Sequence, residues 1–147
     1  MELWQQFLVY LGYTIIGGII VGVVVHYLRQ RGARRDKLRS AIRNILVELN
    51  TNAALAKQPF QGRLVPFETK MWDDHKGEIL ALPEDTQAAL HQVYIYVQQA
   101  NALVQSNLRL PYGRGYYDGD YKKKCGEIAD KAKIATELLR SWLKQEG

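Results

Sequence analysis

The sequence predicts an all-α protein: one N-terminal transmembrane helix plus a small antiparallel three- to four-helix cytoplasmic bundle. Three observations carry this expectation. From Leu3 to Leu28 there is no Asp, Glu, Lys or Arg, and from Phe7 onward the run is strongly apolar. Further along, apolar residues recur at steps of three and four, the period of a helix with one buried face. No stretch alternates at period two, so no sheet is expected. A chain of 147 residues holds one such bundle and not two.

About 22 helical residues at ~1.5 Å each span ~33 Å, which matches the hydrocarbon core of a bilayer. A cleavable signal peptide would carry positive charge before the apolar run and a small-residue cleavage site after it. Here the run is preceded by Met1-Glu2-Leu3 and followed by Arg29-Gln30-Arg31, so the segment is expected to remain as an anchor over 1–28. Positive charge stays on the cytoplasmic side, which predicts a place in the inner (cytoplasmic) membrane with the N-terminus outside and the bundle in the cytoplasm. Trp4 and Tyr27 stand near the two ends, where aromatic rings favour the headgroup level. His26 lies near the same interface and needs no further role. Thr14, Gly18 and Gly22 repeat at four-residue intervals, and Gly18-Ile-Ile-Val-Gly22 is a GxxxG. Small residues on one face let a second helix approach closely, so a homo-oligomer or a membrane-protein partner is expected there.

The net charge of +5 is local. Between Arg29 and Arg43 the chain carries +6, and the remainder sums to −1. This basic collar, 29–43, opens the first bundle helix. Arg29, Arg31, Arg34, Arg35, Lys37 and Arg39 are its candidate contacts to anionic lipid or to an acidic partner, each cation near such a leaflet being worth roughly 1 kcal/mol. Nucleic acid is the weaker reading, because no aromatic residues interleave with the cations and no nucleic-acid fold follows.

The bundle is expected over 38–147. Its first stripe reads Leu38, Ala41 or Ile42, Ile45, Leu49, Asn52 or Ala53, and Ala56, and ends before Pro59. A loop with Pro59, Gly62 and Pro66 leads to a short helix around Thr69 to His75, with Thr69 as its N-cap and Phe67, Met71 and Trp72 facing inward. Gly77 ends that helix. Pro83, Glu84 and Asp85 suit the first turn of the next, whose stripe is Thr86, Leu90, Val93, Val97, Ala100 and Val104. The last helix reads Tyr121, Cys125, Ile128, Ala132, Ala135, Leu139 and Trp142, and steps of four and three over about three heptads suit coiled-coil-like packing. Between these two helices, Arg109 to Gly119 is rich in glycine and tyrosine. Its Tyr112, Arg114, Tyr116 and Tyr117 form a possible partner surface, against the alternative that they cap the core.

Catalytic chemistry is not evident. His26, His75 and His91 lack His or Cys partners at ligand spacing, so no metal or other cofactor is expected. The neighbours Asp73, Asp74 and His75 face different directions on a helix. The lone Cys125 reads as a small core residue, with a reactive or palmitoylated thiol as the alternative. No small-molecule substrate is implied.

Ile45 to Asn52, Phe67 with Thr69 and Trp72, Leu82-Pro83, Leu90 with Tyr94, and Asn101 together resemble a pattern in many short bacterial proteins. Those proteins carry one N-terminal membrane helix and a helical cytoplasmic domain, and are mostly of unknown function. The resemblance covers roughly residues 38 to 105. It implies a bacterial or phage origin and no catalytic or ligand residues. The function expected is that of a non-enzymatic, membrane-anchored interaction or scaffold protein, or an accessory subunit. A membrane-linked signalling or stress-sensing element hinged at Gly32, and a membrane-active defence or phage protein, are the alternatives.

Overall fold

The computed structural model describes the backbone of residues 2–59, 64–109 and 117–145, with side chains from residue 17 onward. Four α-helices and one 3₁₀ turn follow in order: α1, Glu2–Ala56; α2, Lys70–His75; the turn Glu78–Ala81; α3, Glu84–Arg109; and α4, Asp118–Gln145. Among the described residues there is no strand, and the chain is all-α as expected. Two compact units divide it, residues 1–37 and 38–147.

In the first unit every residue from Gly17 to Lys37 is exposed. The consecutive apolar residues Ile19, Ile20, Val21, Val23, Val24, Val25, Tyr27 and Leu28 are 40–63% accessible. A helix whose neighbouring positions are all apolar has no polar face to give to water. Among the described residues no helix is long and apolar enough to cross a membrane. Of the apolar run, residues 17–28 have described side chains and residues 3–16 do not.

The second unit is a helical bundle around a single core. Leu38, Ala41, Ile42, Ile45 and Leu49 of α1 are buried, and the helix ends at Ala56, three residues before Pro59. The expected stripe of α3 is buried in full, with Tyr94 added between its turns. In α4, Tyr121, Ile128, Ala132, Ala135 and Leu139 are buried, whereas Cys125 and Trp142 lie half-exposed at the margin. The eight residues between α3 and α4 reach at most ~28 Å, less than the ~39 Å length of α3. The closely packed α4 must therefore run back along α3, as the Lys124 ammonium over the Tyr96 ring shows.

Three local expectations need correction. The short helix is α2, but the Thr69 side chain makes no capping bond. The exposed N–H groups there are taken by a carboxylate from another helix, described below. Gly77 does not simply end α2; the 3₁₀ turn follows, bringing Ile79 into the core. Pro83 precedes the first helical residue, and its carbonyl accepts from the Gln87 amide at 3.0 Å. The Gln87 side chain then donates to the Leu82 and Leu80 carbonyls, tying the 3₁₀ turn to the start of α3.

Candidate functional site

Two places in the molecule concentrate polar chemistry. One lies in the bundle, along the extended segment 64–69 that joins α1 to α2. Leu64 and Phe67 anchor it in the core, while its backbone, having no neighbouring strand, must find partners elsewhere. Side chains from three helices supply them. The Tyr121 hydroxyl of α4 accepts from the Val65 N–H at 3.2 Å and donates to the Val65 carbonyl. Asn101 of α3 accepts from Phe67 N–H at 2.7 Å and donates to Phe67 C=O at 2.9 Å. Asn52 of α1 likewise accepts from Glu68 N–H at 2.9 Å and donates to Glu68 C=O at 2.8 Å. A carboxamide matches a peptide group in donor, acceptor and spacing, so each Asn acts as one rung of a strand.

Glu48 continues this ladder. It is 1% exposed, and its carboxylate accepts from Met71 N–H at 2.6 Å, Trp72 N–H at 3.1 Å and the Tyr94 hydroxyl at 2.7 Å. The first two donors are among the unsatisfied N–H groups of the first turn of α2, so Glu48 replaces the missing Thr69 cap. Trp72 lies flat on Tyr94, ring centroids 4.3 Å apart, and His91 meets the indole edge-on at 5.0 Å. Burial first, then the hydrogen bond and charge of Glu48, push the Tyr94 phenol far above its usual range. Burial likewise pushes Tyr121 up to about 12, the neighbouring Cys125 adding to the rise and the Val65 amide opposing it. Cys125 itself is shifted upward by burial, which disfavours its thiolate.

Sequence reasoning placed Asn52, Phe67, Trp72, Tyr94 and Asn101 in packing positions and did not foresee that their polar atoms form one network. The signal was there in one form: Glu48 and Asn52, four residues apart, fall on the apolar stripe of α1 where solvated residues do not belong. Of the Asp73, Asp74 and His75 cluster, Asp73 pairs with Lys76 at the surface. His75 Nε2 accepts from the Asn44 amide at 3.1 Å. Among the described residues no three His, Cys, Asp or Glu side chains gather where they could hold a metal.

The second place is the cationic collar of the first unit. Arg29, Arg31, Arg34, Arg35 and Lys37 are all exposed. At ~100° per residue they leave no arc of α1 wider than about 120° uncovered, which makes a ring and not a stripe. Arg39 belongs to the bundle unit and is half-buried there. Tyr27, Gln30, Arg31 and Arg34 border a cleft of about 180 Å³ on one side of the helix. The Gln30 side chain is held by His26, Nε2 to Nε2 at 3.1 Å.

Gly18 and Gly22 are helical, and among the described residues a methyl group added at either would meet nothing within 4 Å. Thr14 lies in α1, its side chain outside the described residues. Tyr112, Arg114 and Tyr116 also fall outside the described residues. Tyr117 is half-buried, and its carbonyl accepts the Tyr121 N–H at 2.9 Å as α4 begins. No protein-family model matches this chain, and no curated protein and no solved structure is significantly similar to it.

Proposed function

We propose that this protein is a membrane-anchored, non-enzymatic interaction protein, a scaffold or small accessory subunit whose helical bundle is presented to a cytoplasmic partner. One observation carries the reading: an apolar helical segment exposed on all sides passes directly into an exposed ring of cations. Water is a poor solvent for the first, and an anionic surface is the natural neighbour of the second. A bilayer meets both demands at once, with the apolar residues in hydrocarbon and the ring at the headgroups. The ring geometry favours this over a nucleic acid or a single acidic protein, either of which would be met by cations on one side only. By the positive-inside tendency the same charges favour the cytoplasmic face for the bundle.

Association through Thr14, Gly18 and Gly22 belongs to this reading, and open space around both glycines supports it. Glu48, Asn52 and Asn101 hold segment 64–69 and the start of α2, a structural use of polar side chains that agrees with a binding module. The test is crosslinking of the full-length protein in its native membranes, followed by mass spectrometry and a size estimate. Recovery with the membrane fraction after alkaline carbonate washing, together with a recurrent partner set or self-crosslinks, is expected. Release into the wash, or a monomer that captures nothing, would overturn the proposal.

A further inference from the structure

One side of the collar carries a cleft bordered by Tyr27, Gln30, Arg31 and Arg34. We propose that it is a discrete site for the phosphate of an anionic phospholipid headgroup, and this rests on the membrane-anchor reading above. Its four bordering residues fall within an arc of about 100° on α1, so their polar ends converge on one volume. Arg31 and Arg34, three residues apart, present two guanidinium forks to the same space, and a fork matches the spacing of phosphate oxygens. The Tyr27 hydroxyl and the Gln30 carboxamide add neutral donors, and the contact with His26 limits the positions open to Gln30. Neither Arg31 nor Arg34 sits in an ion pair among the described residues, so their charge is not already neutralised.

Depth fits as well. With Leu28 as the last residue of the apolar run, Arg31 lies ~4.5 Å and Arg34 ~9 Å further along the helix. The headgroup layer occupies about 5–7 Å beyond the hydrocarbon on each side. Tyr27 and Arg34 therefore bracket it, and a phosphate at that level enters the cleft from the side while its acyl chains lie against Val23 and Val24. A free phosphate ion offers the same charge without the chains. The structure favours the lipid because exposed apolar side chains line the helix directly next to the cleft.

The full-length protein, extracted in mild detergent and supplied with phosphatidylglycerol, phosphatidylcholine or inorganic phosphate, would be examined by native mass spectrometry. Retention of phosphatidylglycerol over phosphatidylcholine is expected, and the double substitution Arg31→Gln with Arg34→Gln should weaken it about tenfold or more. Arg29→Gln with Arg35→Gln removes the same charge from residues that do not border the cleft and should weaken it several-fold less. Equal losses in the two double variants would show a diffuse collar and overturn the site. Equal retention of phosphatidylcholine would do the same, and inorganic phosphate competing as well as the lipid would overturn the choice of ligand. Carbonate washing separates the two levels. A protein that stays in the membrane but shows no preference for this pair of arginines refutes the site alone, whereas one that washes free refutes the anchor on which it rests.

Discussion

From Gly17 to Leu28 the helix points valine and isoleucine outward on every side, while from Leu38 onward α1 keeps its apolar residues on one face and buries a glutamate among them. The two regions solve opposite problems. In the first, no described residue covers the apolar surface, and its stability depends on what surrounds it. In the second, apolar surface is covered and the cost falls on the polar groups that are covered with it. Each buried donor or acceptor left unpaired costs about 1–3 kcal/mol, so Glu48, Asn52 and Asn101 are tolerated because every one of them is bonded to backbone. The contrast teaches where a substitution should be felt: by the fold in the bundle, and, under the proposed anchoring, by membrane partition in the exposed segment.

The sharpest way to break this comparison is Glu48→Ala. It strands two α2 amides and the Tyr94 hydroxyl, and a loss of about 3 kcal/mol or more in bundle stability is expected. Denaturant unfolding followed by tryptophan fluorescence reads it, since Trp72 stacks on Tyr94. Glu48→Gln, which keeps one of the two acceptor oxygens, should cost less than alanine; an equal loss would mean that α2 and Tyr94 require both oxygens.

Next in size is Ile20→Lys in the exposed segment. A cation there should oppose membrane insertion by about 2–3 kcal/mol, seen as a larger carbonate-extractable fraction, with the unfolding midpoint of the bundle unchanged. A shift in that midpoint would show that the two regions are not energetically separate.

Asn101→Ala should cost about 2 kcal/mol by releasing both bonds to Phe67. Asn101→Asp is the informative companion. It still accepts from the Phe67 amide but turns an oxygen toward the Phe67 carbonyl, and a loss no smaller than that of the alanine variant is expected. Recovery to wild-type stability would dissolve the ladder as described.

The smallest effect concerns pH. The Tyr94 phenol is raised above its unfolded value, so its contribution is fully present below about pH 10 and declines as pH rises further. The unfolded state then holds fewer protons than the folded one, and stability should fall by about 1.4 kcal/mol per pH unit. Tyr94→Phe should remove about half of the total slope between pH 10 and 11, measured as the change in denaturation midpoint, because Tyr121 supplies a similar share. An unchanged slope would point to Tyr121, whose rise to about 12 acts in the same direction.

Much of the bundle was legible in the residues because helix-forming pattern is local. The stripe from Thr86 to Val104 is buried position for position, and α1 stops ahead of Pro59 because proline offers no amide and clashes with the preceding turn. The collar was equally plain, since a run of arginines needs no fold to be seen. The functional reading of Tyr112, Arg114 and Tyr116 stays on the sequence alone, outside the described residues.

Thr69 marks the limit of such reading. A threonine before a short helix predicts a local cap, yet the cap comes from Glu48, 21 positions earlier in the chain. A local bond competes with every partner that folding brings within reach, and a charged acceptor able to take two amides at once prevails over a neutral hydroxyl that takes one. The sequence by itself determined the helices, their buried faces and the place where positive charge gathers, because each follows from neighbours three or four residues apart. Only the tertiary structure decided which polar side chains meet which backbone groups along 64–72. Those meetings join residues far apart in the chain, and no periodicity records them.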